Sequence, residues 1–212
     1  MHNRMSYSNK ELYRADFWFF IIIYRSTSFL KENYMQIVTD DLILRKWEEK
    51  DAERLASIAN NKKIADNLQD NFPHPYSLDD AKEFISSTMQ KGKDSEPFAI
   101  EINGIIVGSI CATFKDNVRS KNVEIGYFLA EEYWGRGIIP DAIKCITGYL
   151  FENYDIIRVY AKTYSTNKNS RRVLEKAGFR LEAILKKGVF KNGIFQDDCI
   201  YAILRDEVEK KM

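Results

Sequence analysis

Little in this chain marks it for a strongly charged or metal-holding role. Lysines and arginines number 32 and acidic residues 31, so the basic excess that usually accompanies nucleic-acid binding is missing, and a small or peptidic substrate is favoured. Histidine is confined to His2 and His74, which leaves no histidine-based metal site to expect. Cysteines are few and widely spaced: Cys111, Cys145 and Cys199 sit in apolar surroundings. Buried thiols in a reducing cytoplasm fit them better than a disulfide framework or a zinc site. Internal repeats and low-complexity runs are also lacking, which argues against repeat architectures and biased tracts.

A hydrophobic run long enough to cross a membrane is missing too. The most apolar stretch, Phe17 to Tyr24, is far shorter than the roughly 20 residues a spanning helix needs. It makes a poor secretory signal, because a polar stretch with Glu11 and Asp16 precedes it and no small-x-small site follows. Residues 1–34 are therefore expected to form a terminal appendage. Residues 35–212, opened by Met35-Gln36-Ile37-Val38, are expected to be a single domain, since one domain commonly spans about 100 to 200 residues.

What is present is an alternation of periods. Leu42 to Arg45 reads as a strand, and Asp51 to Ile64 as a helix with Leu55, Ile58 and Ala59 on one face. Asp79 to Met89 reads as a second helix with Ser77 as its N-cap. Phe98 to Ile102, Asn103-Gly104 and Ile105 to Ile110 form a hairpin, because Asn-Gly takes the positive φ values of a type I′ turn. A strand at Val123 to Leu129, a helix from about Pro140 to Phe151, a strand at Ile157 to Thr163 and a helix at Asn169 to Ala177, closed by Gly178, follow. A second Asn-Gly hairpin joins Phe179–Lys191 to Ile194–Leu204. The expected fold is α/β: a mixed, mostly antiparallel sheet with a βαβ crossover in the middle and helices on both faces.

The first feature with chemistry in it is Trp134-Gly135-Arg136-Gly137, between a strand and a helix. Glycines remove side chains where backbone must approach a ligand, and the helix N-terminus that follows offers N–H groups and partial positive charge to an anion. Arg136 adds a cation. The same pair also suits an ordinary tight turn, so its company decides.

That company is Glu124-Ile125-Gly126-Tyr127 before the glycine turn and Asn167-x-x-Ser170-x-x-x-Leu174-Glu175-Lys176-x-Gly178-Phe179 after it. Three motifs in this order, with Phe72-Pro73-His74-Pro75-Tyr76 ahead of them, resemble the GNAT superfamily of N-acetyltransferases, in particular the branch that acetylates ribosomal-protein N-termini. The resemblance spans about Asp41 to Leu204. It implies a GNAT-like fold, acetyl-CoA as donor, and direct transfer to a primary amine, on a protein N-terminus or on a small molecule. Partners expected are the donor and the amine acceptor, with no nucleic acid, metal or membrane; a homodimer stays open. A CoA-binding sensor without catalysis is the alternative.

An amine must lose its proton to attack a thioester, and a carboxylate that assists contributes on the order of 10²–10⁴-fold. Glu124, sharing a strand face with Gly126 and Phe128, is the candidate base, unless it is simply an exposed strand-end residue. The resemblance implies an oxyanion donor at the backbone N–H near Leu129 and a phosphate loop at Gly135, Arg136, Gly137, Ile138 and Ile139. It also implies donor contacts at Asn167 and Arg172, which otherwise read as a helix cap and a solvated arginine. Phe128 and Trp134 read as core or as flanks of the pantetheine arm, core being the simpler reading. His74 and Tyr76 are expected to border the acceptor. Two positions depart from the family pattern: Ile139 replaces a small residue, and Leu174 replaces a tyrosine that serves as general acid. Ser170 is the remaining polar candidate beside the departing thiolate.

Overall fold

The computed structural model describes residues 22–23, 36–38, 42–90 and 94–209. Strands are β1 (Ile22–Ile23), β2 (Gln36–Val38), β3 (Ile43–Arg45), β4 (Ser95–Ile102), β5 (Ile105–Phe114), β6 (Asn122–Leu129), β7 (Arg158–Tyr164), β8 (Arg180–Lys191) and β9 (Ile194–Leu204). Helices are α1 (Ala52–Ala59), α2 (Lys62–Ala65), α3 (Leu78–Thr88), α4 (Ile138–Asn153), α5 (Lys168–Lys176) and α6 (Arg205–Glu209). Among the described residues the strands form one sheet in the order β1-β2-β3-β4-β5-β6-β7-β9-β8. Every pairing is antiparallel except β6 with β7. The mixed sheet and its crossover are as the alternating periods predict.

Both Asn-Gly turns form, with positive φ at Asn103, Gly104, Asn192 and Gly193. One expected helix is in fact two: α1 ends at Ala59 with Asn60 as its C-cap, and Asn61 starts α2 by accepting Lys63 N–H on its side chain (2.8 Å). An asparagine pair favours local side-chain to backbone bonds over helix continuation, which breaks the run. Most of the expected appendage lies outside the described residues; within it, Ile22–Ile23 pairs with Ile37–Val38 at the sheet edge.

Strand alternation sends apolar residues to both faces of the sheet, and each face carries its own core. On one, Ile143, Ile146 and Leu150 of α4 and Leu174 of α5 pack with Ile110, Ile125, Val159 and Tyr201. On the other, Leu55 of α1 and Ile85 of α3 pack with Trp47, Ala99 and Ile106. The β8–β9 hairpin closes the far edge.

Buried charge ties the second layer down. Arg45 on β3 donates to both carboxylate oxygens of Asp51 (2.7 and 2.9 Å) and to Glu101 on β4 (2.6 Å). Their side chains are 8%, 5% and 16% exposed, so removing the cation leaves two carboxylates uncompensated. Arg45→Met is expected to cost about 3–5 kcal/mol, whereas cutting the exposed Lys62–Asp66 pair should cost under about 1 kcal/mol. Urea denaturation measures both, and a loss for Arg45→Met no larger than for the surface pair would refute the assignment.

Candidate active site

Strands β6 and β7 run parallel for three residues and then part. The ladder joins Asn122, Val123 and Glu124 to Arg158, Val159 and Tyr160; beyond it β6 stays with β5 up to Leu129 and β7 stays with β9 up to Tyr164. The parting exposes one edge of β6. Ala130 N–H donates to Val107 O on the β5 side (2.8 Å), so the alternate residues Ile125, Tyr127 and Leu129 turn their backbone groups toward the gap. The Leu129 carbonyl there accepts from the Trp134 indole N–H (2.8 Å).

Two cavities meet at this fork, sharing Asn67, Leu68, Gly126, Tyr127, Phe128 and Thr163 among their walls. The smaller, about 560 Å³, holds every donor-binding residue that the motifs predict: Phe128, Leu129, Gly135, Arg136, Gly137, Ile138, Ile139, Asn167 and Arg172, together with Ser170. Its charged lining is Lys63, Arg136, Lys162, Arg172 and Lys176, with no aspartate or glutamate among the described residues. Gly135 and Gly137 have φ of +77° and +84°, and a Cβ on either would meet nothing within 4 Å. Bare backbone thus faces open space at the start of the 16-residue α4, a fit for phosphate. Arg136 lies over the Tyr133 ring (4.9 Å) and donates to Glu132 O (2.7 Å).

The larger cavity, about 990 Å³, is lined by Asp70, Asp80, Glu83, Glu124 and Asp198 against Lys162 and Lys191. Glu124 is half-buried and accepts from Tyr160 Oη (2.9 Å) and Lys115 Nζ (2.7 Å), with Lys162 Nζ 3.9 Å away. Burial opposes its ionisation, but the hydrogen bonds and charges of Lys115, Tyr160 and Lys162 outweigh that and hold the carboxyl below its ordinary range. It is therefore charged, accessible and weakly basic. Asp198 goes the other way, raised by burial and by the Glu124 charge despite Lys162.

Tyr76 is buried against Phe72 (5.0 Å between centroids) and lines the larger cavity, where burial and the nearby Asp80 raise its hydroxyl to about 12. His74 is exposed and lines neither cavity. Asn167 caps α5, its side-chain oxygen accepting Ser170 N–H (3.0 Å); it also lines the smaller cavity. Leu174 is fully buried, so no side chain reaches a ligand from that position. The core reading of Trp134 is corrected: it is 41% exposed and lines the smaller cavity, held there by its bond to Leu129 O. Cys145 is buried, and burial with Asp141 beside it raises its thiol to about 11, which makes it inert as a nucleophile.

Tyr127 is the residue that sequence reasoning missed. Its hydroxyl lies 2.9 Å from Ser170 Oγ, and it lines both cavities. Strand alternation assigns it to the core face; its position at the fork comes only from the unpaired edge of β6.

A mixed sheet opened between its two parallel strands, with a glycine turn and a helix start at one side of the opening, defines an acyl-CoA-type transferase site. The family model for the acetyltransferase (GNAT) domain matches residues 41–180, and the chain belongs to that family of N-acetyltransferases. The putative ribosomal N-acetyltransferase YdaF of Bacillus subtilis (strain 168) is 32% identical over 177 residues, covering 81% of this chain and 96% of that protein. Among solved structures, RimL, a ribosomal L7/L12 alpha-N-protein acetyltransferase in complex with coenzyme A, superposes with a TM-score of 0.72 at 24% identity, covering 80% of this chain and 97% of that one. The microcin C7 self-immunity acetyltransferase MccE, in complex with acetyl-CoA and AMP, has a TM-score of 0.70 at 26% identity, covering 78% and 93%.

Gly126 tests the fork directly. It lies on β6, lines both cavities, and an added Cβ would meet nothing within 4 Å. Gly126→Val should leave the melting temperature unchanged or raised, because valine suits a strand better than glycine, while activity falls at least tenfold as the side chain fills the passage. Gly137→Ala should instead weaken CoA binding in calorimetry, at a stability cost of about 1–2 kcal/mol for the left-handed backbone. A fully active Gly126→Val enzyme would mean that the cavities' junction is not where transfer occurs.

Proposed function

We propose that this protein transfers the acetyl group of acetyl-CoA to the α-amine at the N-terminus of a polypeptide. The observation that carries the reading is the division of charge at the fork: among the described residues, five cations and no acid line one cavity, and five carboxylates against two lysines line the other, with Lys162 shared between them. A phosphorylated donor is drawn to the first and an ammonium-bearing acceptor to the second. The Gly135–Ile139 turn, Arg136 and Arg172 receive the donor's phosphates, and Asn167 and Phe128 border its arm. The backbone N–H of Leu129 meets the carbonyl oxygen as it becomes an oxyanion. Tyr76 lines the acceptor side, with His74 outside the cavity wall.

The weakness of the base selects the acceptor. Glu124, held ionised by Lys115 and Tyr160, takes a proton from an alkyl ammonium of pKa about 10.4 only far uphill, whereas an α-ammonium of about 7.7–8.0 is partly free at neutral pH. A carboxylate acting through water then suffices. YdaF's description as a putative ribosomal N-acetyltransferase supports the same class, and the three free thiols fit a reducing cytoplasm. No helix among the described residues is long and apolar enough to cross a membrane.

Thiol release from acetyl-CoA is to be measured with short peptides, their N-terminally blocked forms, and polyamines. Peptides with a free N-terminus should react at least tenfold faster than either control; a polyamine preferred over every peptide would overturn the acceptor assignment. Glu124→Gln should lower kcat most at low pH, with CoA affinity unchanged, and its rate should keep climbing where the wild type levels off. Parallel pH profiles for the two enzymes would return Glu124 to a structural role.

A further inference from the structure

We propose that Tyr127 is a positioning residue that aims the Ser170 hydroxyl at the departing sulfur, so that the pair works as an oriented donor and not as an acid. The inference rests on the proposed function and on the expectation from the sequence that Ser170, which lines the donor-side cavity, stands beside the departing thiolate. Tyr127 Oη lies 2.9 Å from Ser170 Oγ and 3.5 Å from the Ser170 carbonyl oxygen. Were Ser170 to donate to Tyr127, the phenol proton would be left with the long contact to that carbonyl. When Tyr127 donates to Ser170 Oγ, the phenol proton takes the short contact in place of the long one, and the serine proton is freed toward the cavity that Ser170 lines. A sulfur gaining negative charge there selects the second arrangement, because hydrogen bonds to ionised acceptors are about twice as strong as neutral ones.

The backbone makes this geometry rigid. Ser170 N–H is held by the Asn167 side chain (3.0 Å) at the start of α5, and Tyr127 sits on a strand paired along its other edge to β5. In the reaction the amine nitrogen bonds to the carbonyl carbon, the C–S bond breaks with its electron pair going to sulfur, and the nitrogen's surplus proton passes through water to Glu124 or to solvent. Neither hydroxyl needs to ionise. Burial keeps the Tyr127 phenol well above its ordinary value, although the Ser170 bond acts against this, so it remains a donor throughout the working range. Lys63, Arg136, Lys162, Arg172 and Lys176 are the charged groups that line the smaller cavity with it, and Glu124 and Asp198 are among those that line the larger one it also borders. Such a chain stabilises a thiolate without supplying a proton, and it needs no tyrosine at position 174, where buried Leu174 stands.

The experiment is a double-mutant cycle in the full chain with the best peptide acceptor. Tyr127→Phe should lower kcat about tenfold, with KM for acetyl-CoA and CoA affinity within twofold of wild type. Ser170→Ala should lower it at least as far, and the double variant should be no slower than Ser170→Ala alone. Multiplying effects, or a Tyr127→Phe kcat within twofold of wild type, overturn the role of Tyr127. An unaffected Ser170→Ala would instead remove the reading of Ser170 on which it rests. Trifluorotyrosine at position 127 keeps the ring and hydroxyl and serves even where Tyr127→Phe does not fold. Its phenol ionises at lower pH, so kcat should fall as pH rises through that ionisation while the wild type stays level; matching profiles refute the proposal.

Discussion

The rung between Glu124 and Tyr160 governs the rest of the site. It is the last pair of the only parallel ladder among the described residues, and the tyrosine hydroxyl bonds the carboxylate across it at 2.9 Å. Beyond it, each strand follows its own antiparallel neighbour, since those ladders run for seven pairs each and antiparallel pairing is slightly the more stable per residue. The gap therefore follows from sheet topology, and the unpaired edge of β6 inside it is a row of backbone donors and acceptors that an extended, amide-bearing ligand can use. Both cavities, the Leu129 N–H and the Tyr127 hydroxyl all take their positions from that fork.

Electrostatics then divides what topology opened. Glu124 sits at the apex with Lys115 behind it and Lys162 beside it, so its charge is largely balanced before any substrate arrives. Asp198, on the same side of the sheet, is less fully balanced; its carboxyl is raised because burial penalises its charge and Glu124 repels it, despite the attraction of Lys162. A cationic acceptor relieves that repulsion, while a neutral one does not. Under the proposed function the larger cavity thus attracts an ammonium but provides little to deprotonate it. Such a combination favours amines that ionise near neutral pH over those that hold their proton to pH 10.

The elements were readable because their signals are local. Asn-Gly pairs set both hairpins, Gly137 set the start of α4, and Asn167 set that of α5, each at a position where one residue's backbone preference or side-chain cap decides the outcome. The residues that line the smaller cavity were legible as a group for the same reason, since they cluster in two short segments flanking one crossover. Residues that depend on how strands part were not. Tyr127 alternates with the core face of β6 and looks like core; Trp134 is large and apolar and looks like core as well. His74 was misleading in the opposite sense: it lies two residues from buried Tyr76, yet it is exposed and lines neither cavity. Asp80 and Asp198 are 118 positions apart in a chain of nearly zero net charge, and only the fold brings them into one wall.

Two helix starts face the smaller cavity, and their caps assign them different work. At α5 the Asn167 side chain accepts the Ser170 N–H, which satisfies one of the turn's orphan donors within the protein and fixes the Ser170 backbone. At α4 the capping position is Gly137, which has no side chain to make such a bond, and Pro140 in the first turn has no N–H to offer. The orphan donors there, at Ile138 and Ile139, are thus left with the partial positive charge of the longer helix and no competing side-chain acceptor from the cap. Both isoleucines line the cavity, and Ile139 is buried in the core below it. Replacing the small residue expected at 139 therefore alters the packing under the loop but leaves its N–H facing the cavity, because the helix start sets the direction of that group whatever side chain it carries.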